Sequence, residues 1–358
     1  MIQLEDLGWS AFFEQQLSEQ EKAENAVARV AEVSRSIYRL CGSTGERLAE
    51  LAGRLRYAAV AASDLPATGD WVVVREAAAD GRATIQRVLA RRSKFSRKVA
   101  GARSEEQVVA ANLDTIFLVN GLDRDFNPRR IERYLTLVWE SGARPVVVLN
   151  KADLCDDPTP LCFEAEEAAV GVPVLVTSAA TGEGIEQLAS YLARGQTVAL
   201  LGSSGVGKST IINRLLGRQL LRTAPVRESD DRGRHTTTSR QLIPLPGGAL
   251  LIDTPGLREL QLWEGEEGIG RAFADIESLA AKCRFADCRH EGEPDCAVQR
   301  AVENGELDSG RLASYHKLQR ELHFQATKHD KAARAEQAKR WRSIQKEIRR
   351  LYRLRGQK

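Results

Sequence analysis

The chain has 358 residues, 42% hydrophobic and 28% charged, which is enough for two or three soluble domains. No run approaches the roughly 18 apolar residues of a membrane-spanning helix. The start MIQLEDLGWSAFFEQQLSEQ lacks the parts of a secretory signal, so a cytoplasmic protein without membrane contact is expected. The net charge of +3 averages two unlike parts: residues 331–358 carry 11 Lys/Arg against Glu336 and Glu347, which makes this tail +9 and residues 1–330 −6.

Residues 1–25 read as a short helical lead-in. From about 27 to 98 the texture is β, with VARVAEV, SIYRL, DWVVV and ATIQRVLA separated by the turn signals CGSTGE, PATGD and ADG. Several short strands in this span predict a small β-barrel. From about 112 the apolar runs DTIFLV, PVVVL, PVLV, TVALL and ALLID alternate with helix-length segments such as RRIERYLTLVWESG and GIEQLASYLARG. Such alternation predicts βαβ units and a mostly parallel sheet covered on both faces. Beyond about 270 the chain becomes helical and charged.

Residues 202–209, GSSGVGKS, match the phosphate-loop pattern between an apolar strand and a helix-like run. Gly202, Gly205 and Gly207 let the backbone N–H groups of the loop, with Ser203, Ser204, Val206 and Thr210, wrap a phosphate. Lys208 can reach the β- and γ-phosphates, and the Ser209 hydroxyl can ligate Mg²⁺. Asp253-Thr254-Pro255-Gly256 follows the strand ALLI, where Asp253 can hold a Mg²⁺-bound water and the Gly256 N–H can meet the γ-phosphate. Asn150-Lys151-Ala152-Asp153 follows PVVVL. The Asp153 carboxylate can accept both the N1–H and the exocyclic amine of guanine, a donor pair that adenine lacks, while Asn150 and the Lys151 stem frame the base. Thr177-Ser178-Ala179 follows PVLV and can offer a backbone N–H to guanine O6. Four segments at the carboxyl ends of strands make a guanine-nucleotide site, because ligands of open α/β sheets bind at that edge.

The order of these segments is permuted. NKAD at 150 and TSA at 177 precede the phosphate loop at 202 and DTPG at 253. The segment after DTPG therefore leads into the C-terminal region, which can couple nucleotide state directly to that region.

The permuted order, the barrel-like N-terminus, and the segments TGDWVVV, RRSKFSRK, VVAANLDT, GLDRDFNPRRIERYL, GRHTTT and CRFADCRH together resemble the ribosome small subunit-dependent GTPase A family over almost the whole chain. The resemblance implies an N-terminal OB-fold (1–98), a circularly permuted P-loop GTPase domain (99–277), and a helical zinc-binding domain with a basic helical tail (278–358). It implies GTP hydrolysis stimulated by the small ribosomal subunit, acting in late maturation of that subunit and its rRNA. A monomer is expected. The alternative is an rRNA-binding checkpoint in which GTP serves mainly as a conformational lock.

The polar stretch 222–240 reads as a switch loop. Thr236, Thr237 and Thr238 all qualify as the Mg²⁺-binding threonine, and the family pattern favours Thr237. Leu257 stands where many GTPases place a water-orienting Gln, so slow intrinsic hydrolysis is expected. His235 is a candidate to position the attacking water once the subunit orders the loop; RNA contact or packing is the other role open to it.

Cys283, Cys288, His290 and Cys296 form a Cys₃His set suited to one tetrahedral structural Zn²⁺ with no open position. Their segment is too polar to fold by apolar burial, and metal binding can supply that free energy. Cys41, Cys155 and Cys162 read as small, partly buried hydrophobes. In the tail, Trp341, Ile344, Ile348 and Leu351 recur at helical spacing among Arg and Lys, which favours an RNA-facing helix. RRSKFSRK (91–98) fits either RNA contact or interdomain packing.

Overall fold

The computed structural model describes residues 2–76, 81–98, 106–219, 240–253 and 266–324. His235, Thr236, Thr237, Thr238, Gly256, Leu257 and the tail 331–358 lie outside the described residues.

The lead-in contains two short helices, α1 (Ala11–Glu14) and α2 (Glu19–Glu24). Ser18 and Glu21 cap α2 reciprocally, satisfying N–H groups that a helix start leaves without partners. Arg87 then grips the Glu21 carboxylate at 3.0 Å, fastening α2 to the barrel. Phe13 of α1 is fully buried against Trp71.

The barrel has five strands: β1 (Ala26–Ser34), β2 (Ile37–Gly42), β3 (Gly45–Leu51), β4 (Trp71–Arg75) and β5 (Ala83–Val88). Pairing runs β1-β2-β3-β5-β4 and returns to β1 through Ala26–Arg29 against Trp71–Val74, which removes the free edges. Val30, Leu40, Val72, Val74 and Ile85 fill the interior. A short helix, α3 (Gly53–Ala58), follows β3. Strand β3 is an addition to the predicted elements. Its sequence GERLAEL buries only Ala49 fully, so its hydrophobic alternation is faint.

Much of the basic stretch 91–98 is engaged within the chain. Arg91 pairs with buried Asp70 at 2.7 Å and donates to the Ser63 and Leu65 carbonyls. Arg92 pairs with Asp114, and Lys94 with Glu106. Phe95 is buried in the main core. The stretch supplies β6 (Lys94–Lys98), which forms an antiparallel hairpin with β7 (Glu106–Ala111).

The α/β region contains β8 (Thr115–Gly121), α4 (Pro128–Ser141), β9 (Arg144–Asn150), α5 (Thr159–Ala168), β10 (Val174–Val176), β11 (Thr197–Leu201), α6 (Lys208–Leu216), β12 (Gln241–Pro244) and β13 (Leu250–Asp253). Helix α4 starts where Asn127 caps the Arg130 N–H, with Pro128 at its first position, and ends at left-handed Gly142. The predicted helix GIEQLASYLARG is a 3-10 helix, Ile185–Tyr191. Sheet order is β10-β9-β8-β11-β13-β12, parallel except for β12. All seven residues of β8 are buried, as a central strand covered on both faces requires. From the adjacent pair β8 and β11 the chain moves outward in opposite directions, which opens a crevice at their carboxyl ends. This is the permuted arrangement: the phosphate-loop strand β11 follows β8, β9 and β10 in sequence yet lies between β8 and β13.

Barrel and sheet are joined by β1–β12 pairing at Glu32 and Gln241, and by Arg29. Fully buried Arg29 donates to the carbonyls of Leu7, Gly69 and Asn112 and to the Thr197 hydroxyl at the start of β11. Burial pulls its guanidinium down to about 10, against the field of Asp114. Gly69, at φ +94°, has no room for a side chain: a Cβ there would lie 2.2 Å from the Ala111 carbonyl oxygen.

The C-terminal part holds α7 (Glu266–Ala272), α8 (Ala274–Ala280), α9 (Ala297–Glu303) and α10 (309–324). Buried Arg311 of α10 binds Asp275 twice at 2.8 Å and Glu132 of α4 at 3.1 Å. Arg133 of α4 pairs with Glu321 at 2.8 Å, so α4 carries α10 along its flank.

Candidate functional site

Four loops leave the carboxyl ends of β8, β9, β10 and β11 along one sheet edge, at which β13 also ends. Backbone bonds tie them sideways: Leu122 N–H to the Asn150 carbonyl at 2.7 Å, and Ala152 N–H to the Thr177 carbonyl at 3.1 Å. The edge is therefore built before any side chain acts.

The phosphate loop turns at Gly205 and Gly207, both at positive φ, and enters α6 at Lys208. Close packing requires Gly207, because a Cβ there would stand 2.2 Å from Asn150 Nδ2. Lys208 Nζ donates to the Gly202 carbonyl at 2.7 Å and the Ser203 carbonyl at 2.5 Å, which arches its stem over the loop. Ser209 and Thr210 occupy the first turn of α6, whose N-terminal N–H groups favour an anion. Asp253 ends β13 close enough to Lys208 to feel its charge. Burial pushes the Asp253 carboxyl up, and Lys208 draws it back. A hydroxyl and a partly buried carboxylate are oxygen donors that suit a hard cation such as Mg²⁺, so Ser209 and Asp253 fit that ion by donor chemistry.

On the base side, buried Asn150 is the hub. Its Nδ2 donates to the Val206 carbonyl at 2.8 Å, and its Oδ1 accepts from the Thr177 hydroxyl at 3.2 Å and the Ala179 N–H at 2.9 Å. One side chain thus fixes the phosphate loop to both base-recognition loops. Ser178 Oγ donates to Asp153 Oδ1 at 2.5 Å and orients that carboxylate. Lys151 sits at φ +69° and pairs with Asp123 at 2.7 Å.

Several participants carry no motif. Asp123 and Asp125 lie in GLDRD at the end of β8, where the strand-edge rule alone could have found them. Ser203 Oγ donates to Asp125 Oδ2 at 2.5 Å. Thr177 supports Asn150 through its hydroxyl, and Arg214 of α6 donates to the Ala179 carbonyl at 3.0 Å and the Ala180 carbonyl at 2.5 Å.

The sulfur and nitrogen ligand atoms of Cys283, Cys288, His290 and Cys296 all lie within 4.8 Å of one another. Metal–sulfur bonds of about 2.3 Å and metal–nitrogen bonds of about 2.0 Å in a tetrahedron place sulfurs about 3.8 Å apart and sulfur from nitrogen about 3.5 Å. The observed Cys283–Cys296 separation is 3.9 Å, and His290 Nδ1 lies 3.6 and 3.4 Å from those two sulfurs. The donor set fits a tetrahedral ion. Cys296 caps α9, accepting the Gln299 N–H. Burial pushes the Cys283 thiol up, but backbone N–H groups of Ala297 and Val298 outweigh it and leave it below its ordinary value. Glu293 collects the N–H groups of Arg289, Glu291 and Gly292, closing the loop between the ligands.

The RsgA GTPase family model matches residues 88–263. The small ribosomal subunit biogenesis GTPase RsgA of Opitutus terrae is 48% identical over 350 residues, which cover 95% of this chain and 95% of that protein. The small ribosomal subunit biogenesis GTPase RsgA 2 of Lactiplantibacillus plantarum is 49% identical over 299 residues, or 84% of each. YjeQ from Thermotoga maritima shares the fold with a TM-score of 0.63 at 30% identity, over 83% of this chain and 98% of that one. YloQ, described as a circularly permuted GTPase, has a TM-score of 0.61 at 22% identity, over 86% of this chain and 98% of that one, and speaks to the fold alone.

Proposed function

This chain belongs to the RsgA GTPase family, and we propose that it hydrolyses GTP to GDP and phosphate in biogenesis of the small ribosomal subunit, binding that subunit and its rRNA and being stimulated by it. The supporting observation is that Asn150 joins the phosphate loop to both base-recognition loops at one sheet edge. Asp153, oriented by Ser178, accepts the guanine N1–H and amine. Asn150, Lys151 and Ala179 frame the base. Gly202, Ser203, Ser204, Gly205, Val206, Gly207 and Thr210 shape the phosphate cradle, and Gly256 meets the γ-phosphate. Lys208 stabilises charge that develops on the β- and γ-phosphates. Ser209, Thr237 and Asp253 serve Mg²⁺, which when bound neutralises phosphate charge. His235 positions water in place of the Gln that Leu257 cannot replace.

The Cys₃His centre holds one structural Zn²⁺. A three-part division at 98/99 and 277/278 separates rRNA-facing barrel, GTPase domain and zinc domain, and the basic tail contributes further phosphate contacts. Among the described residues no helix is long and apolar enough to cross a membrane.

The test measures binding to purified small subunits across a salt series, with a non-hydrolysable GTP analogue or GDP loaded. The expected result is tighter binding with the analogue and a log–log salt slope that reports phosphate contacts. Affinity indifferent to nucleotide would refute the coupling. Asp153→Asn tests the base assignment: nucleotide preference should move from GTP to xanthosine triphosphate, and an unchanged preference for GTP would remove it.

A further inference from the structure

Two carboxylates just beyond β8 stand between the base and phosphate halves of the site. Asp123 uses both oxygens: Oδ2 accepts Lys151 Nζ at 2.7 Å, and Oδ1 accepts the Asp125 N–H at 3.0 Å. Burial raises the Asp123 carboxyl, but Lys151 and the Asp125 N–H more than offset this and leave it below its usual value. Asp125 in turn accepts Ser203 Oγ at 2.5 Å, and the Ser203 carbonyl accepts Lys208 Nζ at 2.5 Å. The chain of contacts thus runs from the lysine of NKAD to the lysine of the phosphate loop. Arg130, on the first turn of α4, holds Asp125 Oδ1 at 3.1 Å and its backbone carbonyl. Three residues on, Arg133 pairs with Glu321 of α10.

We propose that Asp123 and Asp125 are positioning residues that couple guanine recognition to the placement of Lys208. Ser203 is the pivot, since its hydroxyl is set by Asp125 while its carbonyl sets the ammonium. If the hydroxyl is released, the loop loses a side-chain anchor, and Lys208 loses a fixed acceptor. The position calls for an acceptor rather than for charge. A carboxylate beside a phosphate cradle repels the ligand, so the hydrogen bond to Ser203 must outweigh that repulsion.

This inference rests on the guanine-nucleotide reading, and the test separates the two. Equilibrium affinity for a fluorescent GDP analogue is measured for the full chain with Asp125→Ala, Asp125→Asn, Ser203→Ala and the double variant Asp125→Ala/Ser203→Ala. Thermal melting without nucleotide is followed in parallel. Asp125→Ala should bind roughly tenfold more weakly, as loss of a charge-assisted hydrogen bond implies. Asp125→Asn, which still accepts from Ser203, should bind as well as the parent chain or better. Ser203→Ala should match Asp125→Ala, and the double variant should be no weaker than either. Melting of the nucleotide-free chain should move little in all four, which a merely structural role would not allow. Full affinity in Asp125→Ala, or additive losses in the double variant, would overturn the coupling while leaving the nucleotide site intact. A parent chain that fails to bind the analogue would overturn both.

Discussion

Asn150 shows how the site is assembled from single residues. Its amide satisfies three groups from two other loops at once, and the partner surface at Gly207 leaves no space for a methyl group. Gly207→Ala should therefore lower GTP affinity at least about tenfold, because the strain falls on a residue at positive φ packed against the hub; isothermal titration with GTP checks this, and parent-like affinity would refute it. The motif residues were legible in sequence because each sits at a fixed offset from a strand end. Asp123 and Asp125 had only their place just past a strand end to mark them and Arg214 had no signal, since their partners lie tens of residues away and only folding brings them near. The Cys₃His set was legible because four soft ligands within 14 residues have few alternative uses.

At the level of elements, hydrophobic patterning carried the assignments. Strand β8 is apolar throughout its centre, and α4 has a cap, a proline and a terminal glycine. Strand β3 and the β6–β7 hairpin lacked such signals: one carries charges at Glu46, Arg47 and Glu50, and the other begins in a run of Arg and Lys. The 3-10 turn at Ile185–Tyr191 has helical composition, but its length is cut by Gly184 and the approach to β11. One element makes a pH prediction. The Arg87 guanidinium, followed by the Ser18 N–H, holds Glu21 at about 2, well below its ordinary 4.5. Its folded pKa is depressed, so its stabilisation is present above about 4.5 and is lost as pH falls toward about 2. Glu21→Gln should flatten the acid arm of a melting-temperature profile in that window. A profile identical to the parent's would refute the assignment.

For the whole molecule, contacts between parts matter as much as the parts. Arg29 ties the barrel to the start of the phosphate-loop strand, Gly69 lets it close on Ala111 and Ile252, and Arg311 joins α4 to the C-terminal helices. Neither junction could be read from sequence, because a lone Arg in a strand or helix has no pattern. Charge division was legible: a −6 body and a +9 tail. Deleting 331–358 should weaken small-subunit binding and reduce its salt slope, while GTP affinity stays within about twofold; equal subunit binding by the truncated chain would remove the tail from the interface. We propose that the small ribosomal subunit completes this GTPase. The most direct test is steady-state GTP turnover with and without purified small subunits at saturating nucleotide. The expected result is a slow intrinsic kcat that rises at least about tenfold with subunits, a barrier change of about 1.4 kcal/mol or more. An unchanged kcat at saturating subunit concentration would contradict it.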